Sequence, residues 1–297
     1  MQRPSFRQER DSAMAPSDRE TEDRPEAAES YAAGLARAFG GAIIFAVPLM
    51  MTMEMWSLGF AMDRARLLLF LAVNFAVLVG LSYFAGFATT FRWKEDVMDA
   101  LAAVGVGVLA SALVLVLFAV ITPDMRWSEM AGKVALQSIP ASIGAMLGRK
   151  QLGGNQDTEA EEARKRQAGY GGELFLMVAG ALFLAFNVAP TEEMILIAYQ
   201  MTPWHALALG ALSILMLHVF VYAVGFSGQE SALEGEGFAV TFVRFTLAGY
   251  GIALLISLYV LWTFGRTEGV SVPQIAMMSV VLAFPSAIGA ATARLVI

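Results

Sequence analysis

Long apolar runs constrain this chain more than any other feature. Eight stretches of about 20 residues each carry few charged side chains. A run of that length crosses the hydrocarbon core of a bilayer as a helix. Only 15% of the 297 residues are charged, against about a quarter in a soluble domain. The sequence therefore predicts an integral membrane protein whose helices contact the lipid bilayer.

A polar tail and a polar linker divide the chain. Residues 1–33 are charged and proline-punctuated, so we expect a disordered tail. Residues 150–171 form a polar linker between two membrane regions, 34–149 and 172–297. Within those regions, the predicted spans are 35–61, 66–90, 98–122, 130–148, 172–200, 204–226, 238–264 and 273–293. The fourth is the weakest, because Lys133 and Gln137 shorten its apolar part.

The two membrane regions repeat each other. A shift of 139 residues aligns 41–87 with 180–226 without a gap, and 13 of the 47 positions are identical. A shift of 145 pairs IPASIGAMLGR (139–149) with FPSAIGAATAR (284–294). Four spans return the chain to its starting side. The sequence therefore predicts an all-α bundle of eight transmembrane helices, built as two parallel four-helix repeats.

Basic residues set the expected orientation. With the N-terminus inside, the cytoplasmic segments hold nine Lys and Arg residues, and the outer loops hold five. Because Lys and Arg concentrate in cytoplasmic loops, we expect both termini in the cytoplasm.

Carboxylates inside apolar runs are the main candidate functional groups. Glu54 in TMEM (52–55) and Glu193 in TEEM (191–194) occupy equivalent repeat positions, and Glu192 lies beside the second. An ionised carboxylate at membrane depth costs roughly 2.5–3.5 kcal/mol, so it must be protonated, paired or bound to a cation. We expect Glu54 and Glu193 to face one another and bind a small cation or a proton.

Neutral oxygen atoms at the same predicted depth are candidate further ligands. They belong to Thr52, Thr191, Asn74 and Ser213. Carboxylate, hydroxyl and amide oxygens suit Na⁺, Ca²⁺, Mg²⁺ or protons better than soft metals. The alternative is structural, since a threonine hydroxyl can bind the carbonyl one turn back, and protonated Glu or Asn can tie helices together.

Four prolines and one histidine complete the candidate set. The prolines in the predicted spans are Pro48, Pro140, Pro190 and Pro285. A proline kinks a helix and frees the carbonyl one turn earlier, and freed carbonyls form ion sites in broken helices. Proline is also common in transmembrane helices without such a role. His218, in the middle of the sixth span, is a candidate proton relay, or a packing residue.

Other functional classes find little support in the residues. The chain has no cysteine, which excludes disulfides and thiolate metal sites. The glycine-rich GYGGE and GVGVG lack the strand–loop–helix context of a phosphate-binding loop. We therefore expect no cofactor, no nucleic-acid partner and no enzymatic activity.

The duplicated eight-span layout, APTEEM and the paired P-x-x-I-G-A helices resemble a bacterial family of integral membrane proteins of unknown function. The resemblance covers about 35–297 and implies topology and a bacterial inner membrane location, but no activity. The adjacent glutamates also invite comparison with prenyl-processing intramembrane proteases, which carry Glu-Glu-x-x-x-Arg. Here no arginine follows at that spacing, which argues against the protease.

The leading hypothesis is a secondary transporter or channel for a small cation, with proton coupling as one form. The alternatives are a membrane scaffold or sensory component without transport, and an intramembrane enzyme. Glycine- and alanine-rich faces such as LAGYGIALL leave a homo-oligomer open.

Overall fold

The protein is described by a computed structural model. It gives the backbone of residues 16–85, 93–152, 158–223 and 238–296, and the side chains of 32–83, 93–148, 169–220 and 239–293. In these ranges all regular structure is helical. The helices in chain order are α1 (Pro16–Met50), α2 (Met53–Ala61), α3 (Arg64–Ala85), α4 (Trp93–Leu117), α5 (Trp127–Leu152), α6 (Thr158–Val188), α7 (Glu192–Gln200), α8 (Pro203–Ala223), α9 (Phe238–Thr241), α10 (Ala248–Thr263) and α11 (Val272–Val296).

A π-helical segment, Phe242–Leu247, joins α9 to α10 without a break in the chain direction. The connections 62–63, 118–126, 201–202 and 264–271 lie at one end of the bundle, which we call the short-loop face. The opposite end, where α1 begins and α11 ends, is the linker face.

Seven helical segments in the described part of the chain are long and apolar enough to cross a membrane. They are Ala32–Met50, Arg64–Tyr83, Trp93–Leu117, Gly169–Val188, Pro203–Phe220, Ala239–Thr263 and Val272–Ala293. The prediction of a multi-span helical membrane protein is confirmed. The predicted fourth span, 130–148, lies in α5, which is not among the seven, so the number eight is not reached by this measure.

Helix α5 is enclosed by protein. Its residues 136–148 are all buried, and it packs against α1, α2, α3 and α4. Lys133 makes helix α5 less apolar. The Lys133 side chain is buried, and its ammonium group forms an ion pair of 2.9 Å with Glu129. Helix α11 has the matching position in the second half, in contact with α6, α7, α8 and α10.

Glycines let each central helix approach a neighbour closely. A Cβ atom on Gly41 of α1 would come within 3.0 Å of the backbone of Gly144 and Gly148 on α5. A Cβ on Gly180 of α6 would collide with the carbonyl of Gly289 on α11. The shifts of 139 and 145 residues found in the sequence relate Gly41 to Gly180 and Gly144 to Gly289. The same backbone crossing therefore occurs at equivalent residues of both halves.

Aromatic rings join the two halves near the short-loop face. Phe70 of α3 packs edge-on against Phe186 of α6 and against Phe264 after α10, with ring centroids 5.6 and 5.7 Å apart. Such T-shaped pairs are favourable beyond the area they bury. We call these three residues the aromatic cluster. Arg66 lies above it and forms an ion pair of 2.6 Å with Glu268, which ties α3 to the loop before α11.

The tail and the linker contain more helix than expected. Helix α1 begins at Pro16, so residues 16–33 are helical, and residues 1–15 lie outside the described residues. Pro suits the first turn of a helix, and the Glu, Arg and Ala that follow are good helix formers. Helix α6 includes Gly169 with φ 55°, so the polar part before this glycine and the membrane part after it point in different directions.

Candidate functional site

The first predicted span is broken in its middle. Helix α1 ends at Met50, two residues after Pro48, and α2 begins at Met53. Thr52 precedes α2 with extended backbone angles, φ −94° and ψ 115°. Its hydroxyl donates to the carbonyl of Pro48 at 2.8 Å. The predicted kink at Pro48 is therefore followed by a complete interruption of the helix, which we call the first break.

The fifth predicted span is broken at the equivalent point. Helix α6 ends at Val188 and α7 begins at Glu192, with Pro190 between them. Thr191 is again extended, φ −71° and ψ 142°, and its hydroxyl donates to the carbonyl of Val188 at 2.8 Å. This is the second break. Each break is followed by a helix of nine residues.

Side chains from other elements satisfy the carbonyls that the breaks expose. At the first break, the Gln137 amide donates to the Leu49 carbonyl at 3.2 Å, and the Trp56 indole donates to the Met50 carbonyl at 2.6 Å. At the second break, Arg266 donates to the Pro190 carbonyl at 2.6 Å. Each of these carbonyls already accepts a hydrogen bond. The positive charge of the Arg266 guanidinium also disfavours a cation beside Pro190. In the sequence, Gln137 stands out as an isolated polar residue in an apolar helix, which could have indicated a buried hydrogen-bond donor. No local pattern indicates that Arg266 binds the second break.

Contacts with α5 give the depth of the first break. Arg64 donates to the Ser128 carbonyl at the short-loop face, at 3.3 Å, and Gln137 binds Leu49 nine residues further along α5. Nine helical residues rise about 13 Å. Because the hydrocarbon core is about 30 Å thick, Leu49 lies close to the middle of the bundle.

Helix α2 rises from that depth at an incline. A Cβ on Gly59 would come within 3.0 Å of the Lys133 backbone, and Lys133 is only four residues from Gln137 along α5, or about 6 Å. The ten residues from Leu49 to Gly59 thus gain only about 6 Å towards the short-loop face. Glu54 therefore lies about 7 to 13 Å from that face.

The two candidate carboxylates lie on short helices that pack on different central helices. Helix α2 packs on α5 through Met55 and Gly59, and α7 packs on α11 through Met194 and Ala198. Each short helix thus binds the central helix of its own half. The Glu54 backbone carbonyl accepts a hydrogen bond from the Ser57 hydroxyl at 2.8 Å, and among the described residues no hydrogen bond or ion pair joins the Glu54 carboxylate to another side chain. The expected face-to-face arrangement of Glu54 and Glu193 stays a prediction.

The three carboxylates differ in exposure. Glu54 is half-buried, whereas Glu192 and Glu193 are exposed. The last two line an open depression of about 540 Å³ with Ile195, Leu196 and Tyr199. Each glutamate lies in the first turn of its short helix, where the helix dipole favours a negative charge.

The two neutral side chains on the next helices are buried and form hydrogen bonds. Asn74 is buried and donates to the Ser142 hydroxyl at 3.1 Å. Ser142 follows Gln137 by five residues, which places it about 7 Å deeper and about 140° around α5. Ser213, also buried, donates to the Leu209 carbonyl at 2.8 Å. Both side chains make the structural contacts that were the alternative to a ligand role.

The remaining prolines and the histidine also have defined surroundings. Pro140 and Pro285 lie within continuous helices, α5 and α11, so neither interrupts its span. A ring nitrogen of His218, Nδ1, lies 3.2 Å from the Thr246 hydroxyl in the π-helical segment. The ring meets Phe242 edge-on at 5.3 Å. π-helical turns often occur at functional sites, which agrees with the candidate relay role of His218. That role stays a prediction.

A family comparison identifies the chain at a coarse level. Residues 34–297 match the family model described as "Putative integral membrane protein (DUF2391)". The chain belongs to this family. Neither the search of curated proteins nor the search of solved structures found a match.

The DUF2391 match covers both breaks, the central helix α5 and the apolar segments from residue 34 onward. It begins two residues into the first apolar segment, Ala32–Met50, and leaves out the polar tail, residues 1–33. Membership confirms the resemblance to an integral membrane protein family of unknown function, and it assigns no activity.

Proposed function

We propose that this DUF2391 protein is a secondary transporter or channel for protons or a small cation. Each half supplies its own carboxylate site, Glu54 after the first break and Glu193, with Glu192, after the second. This differs from one shared site, because α2 and α7 pack on different central helices.

One observation carries the proposal. The first apolar helix of each half is interrupted at equivalent residues, Thr52 and Thr191, and a glutamate opens the short helix that follows. Interrupted helices in corresponding positions of two halves are the strongest structural pointer to a transporter site. A scaffold needs no such interruption, which exposes backbone carbonyls that other side chains must then satisfy.

The chemistry at the breaks favours a proton or a hydrated cation. The described residues contain no cluster of three or more His, Asp or Glu side chains suited to a metal, so a fully dehydrated divalent ion lacks ligands there. The nearby carbonyls of Leu49 and Pro190 already accept hydrogen bonds. A single carboxylate binds a proton outright, and it binds Na⁺ or Mg²⁺ with water as the remaining ligands.

We extend the proposal to topology. Helix α5 crosses the membrane as an eighth span, shielded from lipid by its neighbours, and the two halves are parallel four-helix repeats. The equivalent glycine crossings, Gly41 with Gly144 and Gly180 with Gly289, support the repeat. The short-loop face then lies outside the bacterial inner membrane, and both termini lie in the cytoplasm.

Flux measurements test the function. Purified protein is placed in liposomes, and internal pH and cation dyes follow gradients of H⁺, Na⁺, K⁺, Mg²⁺ and Ca²⁺. We expect flux of at least one species, lowered at least tenfold by Glu54→Gln and by Glu193→Gln. Asp124→Asn, which removes an exposed carboxylate in the loop 118–126, is the matched control and should keep wild-type flux.

Two results would sink the proposal. One is a folded wild-type protein that carries none of the five ions. The other is wild-type flux in the Glu54→Gln, Glu193→Gln double variant, with the elution volume in size-exclusion chromatography unchanged.

A membrane scaffold is the second candidate, and one observation favours it. Only 11% of the window Pro203–Phe220 in α8 is buried, whereas the other six apolar segments are 39–56% buried. A helix that exposed has room for a partner protein. A scaffold would retain its assembly in both glutamate variants and would show no flux.

A further inference from the structure

An apolar cavity lies between the two halves, towards the linker face. Its volume is about 160 Å³, and its walls include Phe45 of α1, Ile143 and Leu147 of α5, and Phe183 and Leu184 of α6. The aromatic cluster packs across the junction of the halves nearer the short-loop face. The cavity is separate from both breaks.

Small residues create this space. Gly180 and Gly289 bring the backbones of α6 and α11 together, and neither has a side chain to fill the volume beside the crossing. Ala179 and Ala293 extend the same wall. The close approach of two helices therefore leaves a hollow that neighbouring large side chains border but do not fill.

The lining excludes a polar ligand. Thr292 is its polar side chain, and this hydroxyl already donates to the Ile288 carbonyl at 2.9 Å. No charged side chain is among the lining residues in the described part of the chain. An apolar cavity of about 150 Å³ stays dry and accepts benzene-sized hydrocarbon. This cavity therefore has room for about six carbon atoms.

The depth of the cavity indicates the source of the hydrocarbon. Ile143 and Leu147 follow Ser128, at the short-loop face, by 15 and 19 residues of α5, or about 22 and 28 Å. This range lies within a hydrocarbon core of about 30 Å, in the leaflet at the linker face. The cavity is not fully enclosed, and at that depth the molecules around a membrane protein are lipid acyl chains.

We propose that the cavity binds one hydrocarbon chain of a phospholipid from the linker-face leaflet. The chain lies against Phe45 and Phe183, which line the cavity and contact one another edge-on with centroids 5.7 Å apart, and it packs in the seam of the two halves. The bound lipid is thus a structural ligand at the junction of the halves. This inference does not depend on the proposed transport.

Photo-crosslinking tests the site. The full-length protein in liposomes receives phosphatidylethanolamine that carries a diazirine on one acyl chain, or palmitic acid with the same group, and mass spectrometry locates the adducts. We expect phospholipid adducts on Phe183 and Leu184 in addition to the exposed Leu68 of α3. Equal labelling by palmitic acid would support a hydrocarbon site but overturn the phospholipid as its source. Adducts confined to exposed residues would overturn the site.

A filling variant sharpens the test. Ala179→Leu adds three carbons inside the cavity, and we expect it to lower adducts on Phe183 at least fivefold while adducts on Leu68 stay constant. Ala72→Leu makes the same change on the exposed side of α3 and should match the wild type. Leu147→Phe is a second filling variant should Ala179→Leu fail to fold. Unchanged Phe183 labelling in a folded filling variant would overturn the proposal.

Discussion

Replacing Gly41 by alanine tests the packing on which the fold depends. The added Cβ would meet the Gly144 carbonyl and the Gly148 Cα atom, both backbone atoms of α5 and both within 3.0 Å. Backbone cannot rotate away as a flexible side chain can, so α1 and α5 must separate. Overpacking of this kind costs about 1–3 kcal/mol, which raises the unfolding constant about 5- to 150-fold.

The matched control is Gly105→Ala on α4, where an added Cβ meets nothing within 4 Å. This change should be neutral or stabilise by up to about 1 kcal/mol, because alanine favours a helix more than glycine does. Reversible unfolding of the purified protein in mixed micelles, titrated with SDS, measures both. The second half offers the same comparison with Gly180→Ala and Gly251→Ala. Equal stabilities of Gly41→Ala and Gly105→Ala would refute the packing argument.

Three further predictions concern separate contacts. Phe70→Ala removes the ring at the centre of the aromatic cluster and should destabilise the protein by about 3–5 kcal/mol in the same SDS titration. A change below 1 kcal/mol would show that the halves do not depend on it. Gln137→Leu leaves the Leu49 carbonyl with the Thr52 backbone N–H as its donor and removes one hydrogen bond between α5 and the first break, which should cost about 0.5–1.5 kcal/mol, and an unaffected midpoint would contradict that role. The Thr122 hydroxyl lowers the pKa of Asp124 in the loop 118–126, and the backbone of Asp124 adds to this. Stability from this carboxylate is present at neutral pH and is lost as pH falls through the lowered pKa, so Thr122→Val should raise the Asp124 pKa, as ¹³C NMR in micelles would detect. An unchanged titration would exclude the hydroxyl as the cause.

Hydropathy predicted the membrane helices because burial in lipid requires long apolar runs. The span predicted at 130–148, in α5, was the weakest of the eight for a physical reason. This helix is covered by four protein neighbours, so it can carry Lys133 and Gln137 where a lipid-facing helix could not. Hydropathy measures the apolarity of a helix's own residues, and it carries no information on whether lipid or protein surrounds that helix.

The sequence located the breaks but not their form. Pro48, Pro190 and the aligned Thr-x-Glu segments marked the right residues, yet a kink and a full interruption have the same local signature. The difference depends on donors from distant elements, Gln137 for the first break and Arg266 for the second. Such long-range partners have no local sequence pattern.

The predicted pairing of the carboxylates is what the sequence constrains least. The alignment of the two regions gives Glu54 and Glu193 equivalent positions, but equivalence within each half does not set the distance between halves. That distance follows from the packing of Met55 on α5 and Met194 on α11. Each glutamate precedes its methionine by one residue, so it points about 100° away from the packed side.

The central claim is that each half presents a hydrated carboxylate site at its broken helix. The chain has no cysteine, so single-cysteine variants can be labelled without background. Glu54→Cys and Glu193→Cys are treated with a membrane-impermeant maleimide on either side of sealed vesicles, with buried Met194→Cys as the control. We predict that both glutamate positions react from the same side of intact vesicles and that position 194 does not. Labelling of positions 54 and 193 only after detergent is added, or from opposite sides, would contradict the account.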